Sequence, residues 1–533
     1  MYNNYTPLQQ RQLALQEYSN TQSTYLLVCA PARSTALKAT LTDQLHRKFR
    51  LVDRLDGELT ASVDGVLLAA EDVELMSTAL MYFAKALQDG ADYAVCNAVF
   101  GFGGATALYQ SQPLQAQNRC AVVSRTLLER CRAAAHDPEN VPELLALAAQ
   151  LCTKPTLIPQ ALLHYERGIC AEDAFSAHGK RAFIMSHVLD MTGAPIVLVS
   201  AVPVLRSMGY EVLVLGPSDG GSLHLFLDAG ASVITRSSCR NVSDAWGMAL
   251  CADFVIVNTV VMARAVRALS GTAVPVLWWL HDAFAGYPHI AHQIPTQLGE
   301  NVRVYSVGSH AANAMRAVRP EFEIRPLIYG LPDYAAENFV RTDLGYNRGR
   351  PLFATVGSFE RRKGHDIFCK AIRLLPPEVR EKASFLFVGQ AADKEMMDSV
   401  RTLTADYPEN VYYCKRLTRD EIKSLMEQCT GLVCASRDDP MPTFVTEGLI
   451  FGKPSIVSEH TGTAGLISEG RNGFVYHDDD PQQLAVLLEH AIEHPEELAS
   501  MRTECRKMYE QYYSKEAFEQ TLRTAVEDLT EKK

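Results

Sequence analysis

Two acids, Asp439 and Glu447, stand eight positions apart in "RDDPMPTFVTEGLIFGKPSIV" (437–457), on either side of a Pro-Met-Pro-Thr turn and the start of an apolar run. Pro442 suits the first helical position, and the pattern predicts a helix over Thr443 to Phe451 that Gly452-Lys453-Pro454 ends. The backbone N–H groups near Thr443 and Phe444 would then be free donors at a positive dipole end, suited to a phosphate. Asp439 can reach hydroxyls beside that phosphate, and Glu447, one turn in, hydroxyls on its other side. A nucleotide sugar has that layout: sugar hydroxyls, a diphosphate, then ribose hydroxyls, all partners for ionised carboxylates. A helix-capping Asp and a solvated helix Glu are the plainer alternative.

Other stretches carry compatible chemistry. "VGSFERRKG" (356–364) reads as a strand, a Gly turn and a basic cluster opening a helix, and its Lys363 would neutralise a diphosphate leaving group; a solvated basic run is the alternative. "EHTGTAGLISEGRNGFVY" supplies Gly462 and Thr463 in a turn that brings more backbone donors to the phosphates, or is a simple connection. In "SHVLDMTGAPIVLVSAVPVLRSMGYEVLVLGPSDGG" (186–221), Gly193 allows close backbone approach between a strand and a long apolar helix. "VPVLWWLHDAF" ends a predicted strand with His281 and Asp282, either functional at the interdomain edge or structural.

Positioning these residues requires strands and helices in alternation. From about residue 183 the chain reads as βαβ units: strands at "AFIMSH", "EVLVLG", "SVIT", "FVIVN", "VLWWL" and "VRVYSVG", then at "LFATVG", "SFLFVG", "VYYC", "GLVCAS", "PSIVS" and "GFVY". Two such series imply two doubly wound parallel sheets in an α/β protein. "TGLVCAS" is the buried strand that puts the acids at the carboxyl edge of the second sheet. The segment 328–351 reads as the linker between the series. After "FERRKG", Ile367, Ala371, Leu374 and Leu375 fall at helical spacing up to Pro376-Pro377, and the tail from about 496 is helical and polar-rich. The first 170 residues start with a polar leader and continue as a small α/β domain of strand "TYLLVCAP", helical pattern "ALKATLTDQLHRKF", "RLVDR", "DGVLLAAEDVEL" and helix "MSTALMYFAKALQDG".

The second series and its motifs resemble the nucleotide-sugar half of the GT-B glycosyltransferases, in particular retaining family 4, and the resemblance covers about residues 183 to 520. Asp439 and Glu447 fall on the family's Glu-x7-Glu motif, which implies contacts to donor sugar and ribose, and Lys363 on its phosphate lysine. The resemblance also places Gly193, Gly357, Ser358, Arg362, Met441, Pro442, Thr443, Phe444, Gly462 and Thr463 around the nucleotide sugar, and His281 against the transferred sugar, with Asp282 beside it. Asp439, Lys363, His281 and Glu447 are thus the expected catalytic set. The first acid here is Asp rather than Glu. Where the family usually has a phosphate arginine this chain has Ser358, leaving Arg361 or Arg362 as substitutes. The family implies retention at the anomeric carbon without a metal or other cofactor, the nucleotide sugar being the donor substrate. The first domain resembles a shortened GT-A glycosyltransferase of family 2, from its first strand to "TLIPQALLHYERG". Where that family has Asp-x-Asp-Asp, this chain has Ala69-Ala70-Glu71-Asp72, so a noncatalytic role in acceptor binding, positioning or self-association is expected.

Composition limits the alternatives. A chain of 533 residues, 47% apolar and 21% charged, suggests roughly three domains of about 150 residues. The expected layout is a leader (1–20), the GT-A-like domain (21–170), a linker (171–182), the acceptor domain (183–335), a second linker (336–350), the nucleotide-sugar domain (351–505) and a helical tail (506–533). A net charge of -11 with no basic block beyond "RRK" (361–363) argues against a nucleic-acid partner. No window reads as a transmembrane segment and the N-terminus does not read as a signal peptide, so a cytoplasmic location is expected, with room for peripheral association at the inner face of the membrane. Thirteen cysteines without CxxC pairs read as buried thiols. The expected function is transfer of a sugar from a nucleotide sugar, expected to be a UDP-sugar, to a glycan, lipid-linked or protein acceptor in bacterial cell-surface glycan assembly. The first domain would contact a second copy or other glycosyltransferases. The rival is a catalytically silent GT-B subunit serving another transferase.

Overall fold

The computed structural model describes residues 23–55, 59–70, 73–101, 106–110, 119–165, 179–236, 239–240, 244–477 and 479–531. The expected leader 1–20, most of the linker 171–182, and Glu71 and Asp72 lie outside the described residues. The chain forms two compact units, Met1–Val255 and Ile256–Lys533, the division falling inside the strand Phe254–Asn258.

The first unit begins with parallel strands Leu26–Cys29, Phe49–Val52 and Gly65–Ala69, the first pairing with both others. Leu26 and Val28 enter one buried cluster and Leu27 and Cys29 another on the opposite face, as a strand covered on both sides requires. Cys120–Ser124 extends this sheet antiparallel to Gly65–Ala69. Tyr93–Gly101 continues it, and Pro155–Tyr165 joins in parallel. The helix in "ALKATLTDQLHRKF" is shorter than its periodicity predicts, running only over Thr35–Leu41. The buried Gln44 side chain ends it, donating to Thr40 O and Met76 O and accepting from Leu80 N–H, so side-chain hydrogen bonds take over from the helical ladder. Further on, Lys180–Met185, Tyr210–Gly216 and Ser232–Arg236 pair in parallel with the helix Gly193–Ser207 between the first two. The last of them pairs antiparallel with Thr106–Gln110, a junction that sequence patterning does not disclose.

The second unit holds parallel strands Val276–Leu280, Val302–Ser306 and Ile324–Pro326, then a chain segment without helix or strand until Leu352. A six-stranded, all-parallel sheet follows, in the order 411–414, 384–388, 352–356, 431–434, 455–458, 473–476. Successive strands step outward one way from Leu352–Val356 and then the other way from Gly431–Cys434, so the topological switch point lies between these two strands, where open α/β sheets bind ligands. The helix His365–Leu374 covers this sheet with Ile367, Phe368, Ala371 and Ile372. Leu374, placed on its apolar face by spacing, is instead exposed, because the buried stripe is centred on Phe368 and Ala371. The last helix, Lys515–Thr530, returns to the strand Val276–Leu280, where Phe518 stacks on Trp279 with ring centroids 5.8 Å apart.

Among the described residues twelve cysteines are free thiols: nine are buried, Cys152 and Cys414 half-buried and Cys251 exposed. No described helix is long and apolar enough to cross a membrane.

Candidate functional site at the sheet switch point

The two loops that leave the switch-point strands are bound to each other along their backbones. The first, 357–364, ends in a short turn at Arg361–Lys363 and in Gly364, whose φ of 66° is the left-handed conformation that glycine adopts without strain. A β-carbon there would lie 1.7 Å from Ala435 O, so no other residue lets the loops approach this closely. Arg437 N–H donates to Arg362 O (2.7 Å), while its guanidinium donates to Arg361 O and grips Asp366 with two bonds of 2.8 Å. That lacing delivers the Lys363 ammonium to 2.6 Å from Asp439 Oδ2. The pair is largely enclosed, with Asp439 3% exposed.

Asp439 is fixed on its other side by the turn after Ser455–Ser458. Its N–H donates to His460 O (3.0 Å) and its carbonyl accepts from Gly462 N–H (2.9 Å). Gly462 is required here, since a β-carbon would fall 1.7 Å from Pro440 O. Thr463 is buried, its hydroxyl 3.2 Å from that of Thr461.

The helix at the acids runs over Thr443–Ile450, with Pro442 as its N-cap rather than its first residue and Phe451 as its C-cap; Gly452 follows at a φ of 70°. The one-position shift follows from Pro442's ψ of 106°, an extended value that belongs before the helix. Thr443 is exposed at the helix mouth, and Met441 and Phe444 are buried beneath it. Glu447 lies on the buried side of this helix, and Arg419 Nη1 donates to its Oε1 at 2.6 Å. Tyr329 is buried beside this helix, its hydroxyl 3.5 Å from Thr443 Oγ1; burial pushes its ionisation up to about 12 against the lowering effect of hydrogen bonding to Thr443 and Thr446, and the charges of Asp439 and Glu447 also raise it.

At the start of the loop 357–364 lies Gly357, and Ser358 donates to Glu360 Oε1 (2.8 Å). Arg362 pairs with the same Glu360 oxygen at 2.9 Å. The two positions expected to serve the phosphate, Ser358 and Arg362, are therefore both engaged by Glu360.

His281 follows the strand Val276–Leu280, its ring 4.6 Å from that of Trp279. Asp282 beside it accepts from Val260 N–H at 2.6 Å, and burial raises its carboxyl to about 6. The loop then reaches Asp438: Phe284 and Ala285 donate their N–H groups to its two oxygens at 3.1 and 2.9 Å, and His310 Nε2 lies 2.7 Å away. Burial alone would raise the Asp438 carboxyl, but the bonds from His310, Ala285 and Phe284 outweigh it and hold the group below the usual range. Gly193, in contrast, belongs to the first unit, where it opens the helix Gly193–Ser207 and a β-carbon would meet nothing within 4 Å.

Lys363, Asp439, Glu447, Thr443, Phe444, Met441, Gly462 and Thr463 are thus assembled around one helix mouth, and the His281 loop is tied to the residue before Asp439. Motif spacing missed Arg419, Tyr329, Gly364 and Asp438. Of these only Asp438, as the first of twin acids, and Gly364, closing a basic turn before a helix, left a mark in the sequence.

Comparison with known proteins identifies the domains that carry these residues. Residues 178–318 match the model of glycosyl-transferase family 4 and residues 337–508 that of glycosyl transferases group 1. Spore coat protein SA of Bacillus subtilis is 28% identical over 160 residues, 28% of this chain and 41% of that protein. An uncharacterised glycosyltransferase of Methanocaldococcus jannaschii is 26% identical over 198 residues, 36% of this chain and 53% of that protein. The chain therefore spans about half the length of the curated relatives it matches. Among solved structures, Anabaena HepE in complex with UDP-glucose aligns with a TM-score of 0.53 at 15% identity, covering 66% of this chain and 100% of that one. Sucrose-phosphate synthase from Thermosynechococcus elongatus aligns with a TM-score of 0.52 at 15% identity over the same shares. These likenesses establish an α/β protein of Rossmann-like parallel-sheet domains with GT-B neighbours. From residue 178 to residue 508, then, the chain carries the tandem domains of a glycosyltransferase, family 4 followed by group 1.

Proposed function

We propose that this protein is a retaining, metal-independent glycosyltransferase that moves a sugar from a UDP-sugar to a glycan, lipid-linked or protein acceptor in bacterial cell-surface glycan assembly. The observation that carries the reading is the Lys363–Asp439 pair at the mouth of the helix Thr443–Ile450, with Glu447 further along that helix. An ammonium and a row of helix-end N–H groups together suit a diphosphate, and the two acids suit the hydroxyls on either side of it. The Anabaena neighbour HepE was solved with UDP and with UDP-glucose, which favours uridine as the base.

In this reading the bond from the anomeric carbon to the diphosphate oxygen breaks, and the acceptor oxygen bonds to that carbon on the same face. The acceptor proton passes to the departing phosphate oxygen. Lys363 and the N–H groups of Thr443 and Phe444 stabilise the charge that develops there. Asp439 orients the sugar, His281 contacts it from the loop tied to Asp438, and Glu447 takes the ribose. Residues 183–335 serve the acceptor, 351–505 the donor, and the region resembling a GT-A domain positions the acceptor or self-associates. The protein works in the cytoplasm, at or near the inner face of the membrane.

One observation favours a second reading, a silent subunit of another transferase: Glu360 engages both Ser358, which stands where the family has its phosphate arginine, and Arg362, one of the two arginines that could replace it. Purified protein incubated with a panel of nucleotide sugars separates the two. Slow release of nucleotide that Glu447→Ala abolishes supports the transferase; nucleotide binding without release supports the subunit.

A further inference from the structure

Motif spacing does not select Arg419, yet it is the residue that holds the second acid. It opens the helix Arg419–Gln428, whose start is fixed by a capping box: Glu421 N–H donates to Thr418 Oγ1 (3.3 Å) and Thr418 N–H donates to Glu421 Oε2 (2.7 Å). From that anchored start the guanidinium lies 4.1 Å over the Tyr334 ring and donates to Glu447 Oε1 at 2.6 Å. Lys423, one turn on, is 5.5 Å from the same ring and pairs with Glu337 at 2.6 Å, so Tyr334 is held by a second cation as well. Glu447 is 8% exposed, whereas the Arg419 side chain is 41% exposed. Among the described residues no hydrogen bond reaches Glu447 Oε2.

We propose that Arg419 is a donor-positioning residue: it occupies Oε1 of Glu447 so that Oε2 alone is presented to the ribose diol. A carboxylate with both oxygens open turns about its last bond, while one pinned by a short charge-assisted bond offers its other oxygen in a single direction. The guanidinium also offsets the negative charge that a bare Glu447 would present to an incoming diphosphate. Arginine suits this position better than lysine because its flat fork stacks on the Tyr334 face while donating from its edge. The inference rests on the nucleotide-sugar reading and adds to it the residue that sets the ribose contact.

The test is a titration of the full chain with UDP and with 2′-deoxy-UDP. The native protein is expected to prefer UDP by about tenfold, the range of one hydrogen bond to a charged group. In Arg419→Ala that preference falls to about twofold or less and UDP affinity drops, whereas a merely structural loss would weaken both ligands equally and leave the preference intact. Should circular dichroism show the alanine variant unfolded, Arg419→Met, which keeps the stem over Tyr334 without an N–H, is expected to lose the preference in the same way. Full retention of the preference in a folded variant overturns the inference alone. Failure of the native protein to bind UDP overturns the uridine-nucleotide reading and the inference with it.

Discussion

Lys363 and Asp439, 76 residues apart in sequence, meet at 2.6 Å where the two switch-point loops of the C-terminal parallel sheet run side by side. Removing one partner strands the other as a buried charge, which costs several kcal/mol, while replacing both by apolar groups is close to neutral. Lys363→Met is therefore expected to lower stability by about 3 kcal/mol and nucleotide-sugar turnover by about 10²-fold or more. Combining it with Asp439→Leu should recover most of the stability and none of the turnover. Urea unfolding and a donor-hydrolysis assay, run on the same preparations, separate the two effects.

Gly364 and Gly470 offer a matched pair. Both hold left-handed backbone, at φ of 66° and 68°, but a β-carbon at Gly364 meets Ala435 O at 1.7 Å and one at Gly470 meets nothing within 4 Å. Gly470→Ala is expected to cost about 1 kcal/mol, the left-handed penalty alone. Gly364→Ala should cost at least twice that and impair donor binding, because the loops must part. Equal losses in urea unfolding would show that the close approach of the loops does not matter.

Much of this was legible in the sequence, and what was not has physical reasons. Most of the strands from "AFIMSH" to "GFVY" are short β-rich runs buried on both faces, so composition alone reveals them, while "VYYC" lies at the sheet edge with only Val411 buried. The pairing of Asp439 with the Thr443–Ile450 helix follows from local spacing, as does the stop at Gly452. Arg419 could not be read that way, since its bond to Glu447 spans 28 residues and depends on where a helix start happens to point. The same holds for the tie from Asp438 to Phe284 and Ala285, 154 and 153 residues away. Gln44 cut short a helix that periodicity extended, because its side chain serves partners more than 30 residues distant.

Asp438 supplies a prediction with a definite sign. Its carboxyl is held below the usual range, so its contribution to stability is present above the unfolded-chain value near 4 and is lost as the pH falls through the lower folded value. Asp438→Asn should cost about 1–3 kcal/mol at pH 7 and progressively less below pH 4. Hydrogen exchange should also speed at the amides of Phe284 and Ala285. Unchanged exchange at those two amides would mean that the tie to the His281 loop does not persist in solution.

Asp282 titrates with the opposite sign. Its carboxyl is raised to about 6 by burial, so the folded state holds a proton that the unfolded chain gives up near pH 4. Stability therefore falls as pH rises from about 4 to about 6, and the cost stays constant above that. Asp282→Asn keeps an oxygen for Val260 N–H and removes the ionisation. The variant is expected to match the native protein at pH 4 and to be more stable by roughly 3 kcal/mol at pH 8, read as melting temperature across that range.

A structure of the protein with UDP bound shows whether the helix mouth holds the nucleotide. The diphosphate is expected against the Lys363 ammonium and the backbone N–H groups of Thr443 and Phe444, with the ribose hydroxyls on Glu447. UDP lodged elsewhere, with Lys363 and Asp439 still paired at the helix mouth and Glu447 untouched by ribose, would contradict that placement.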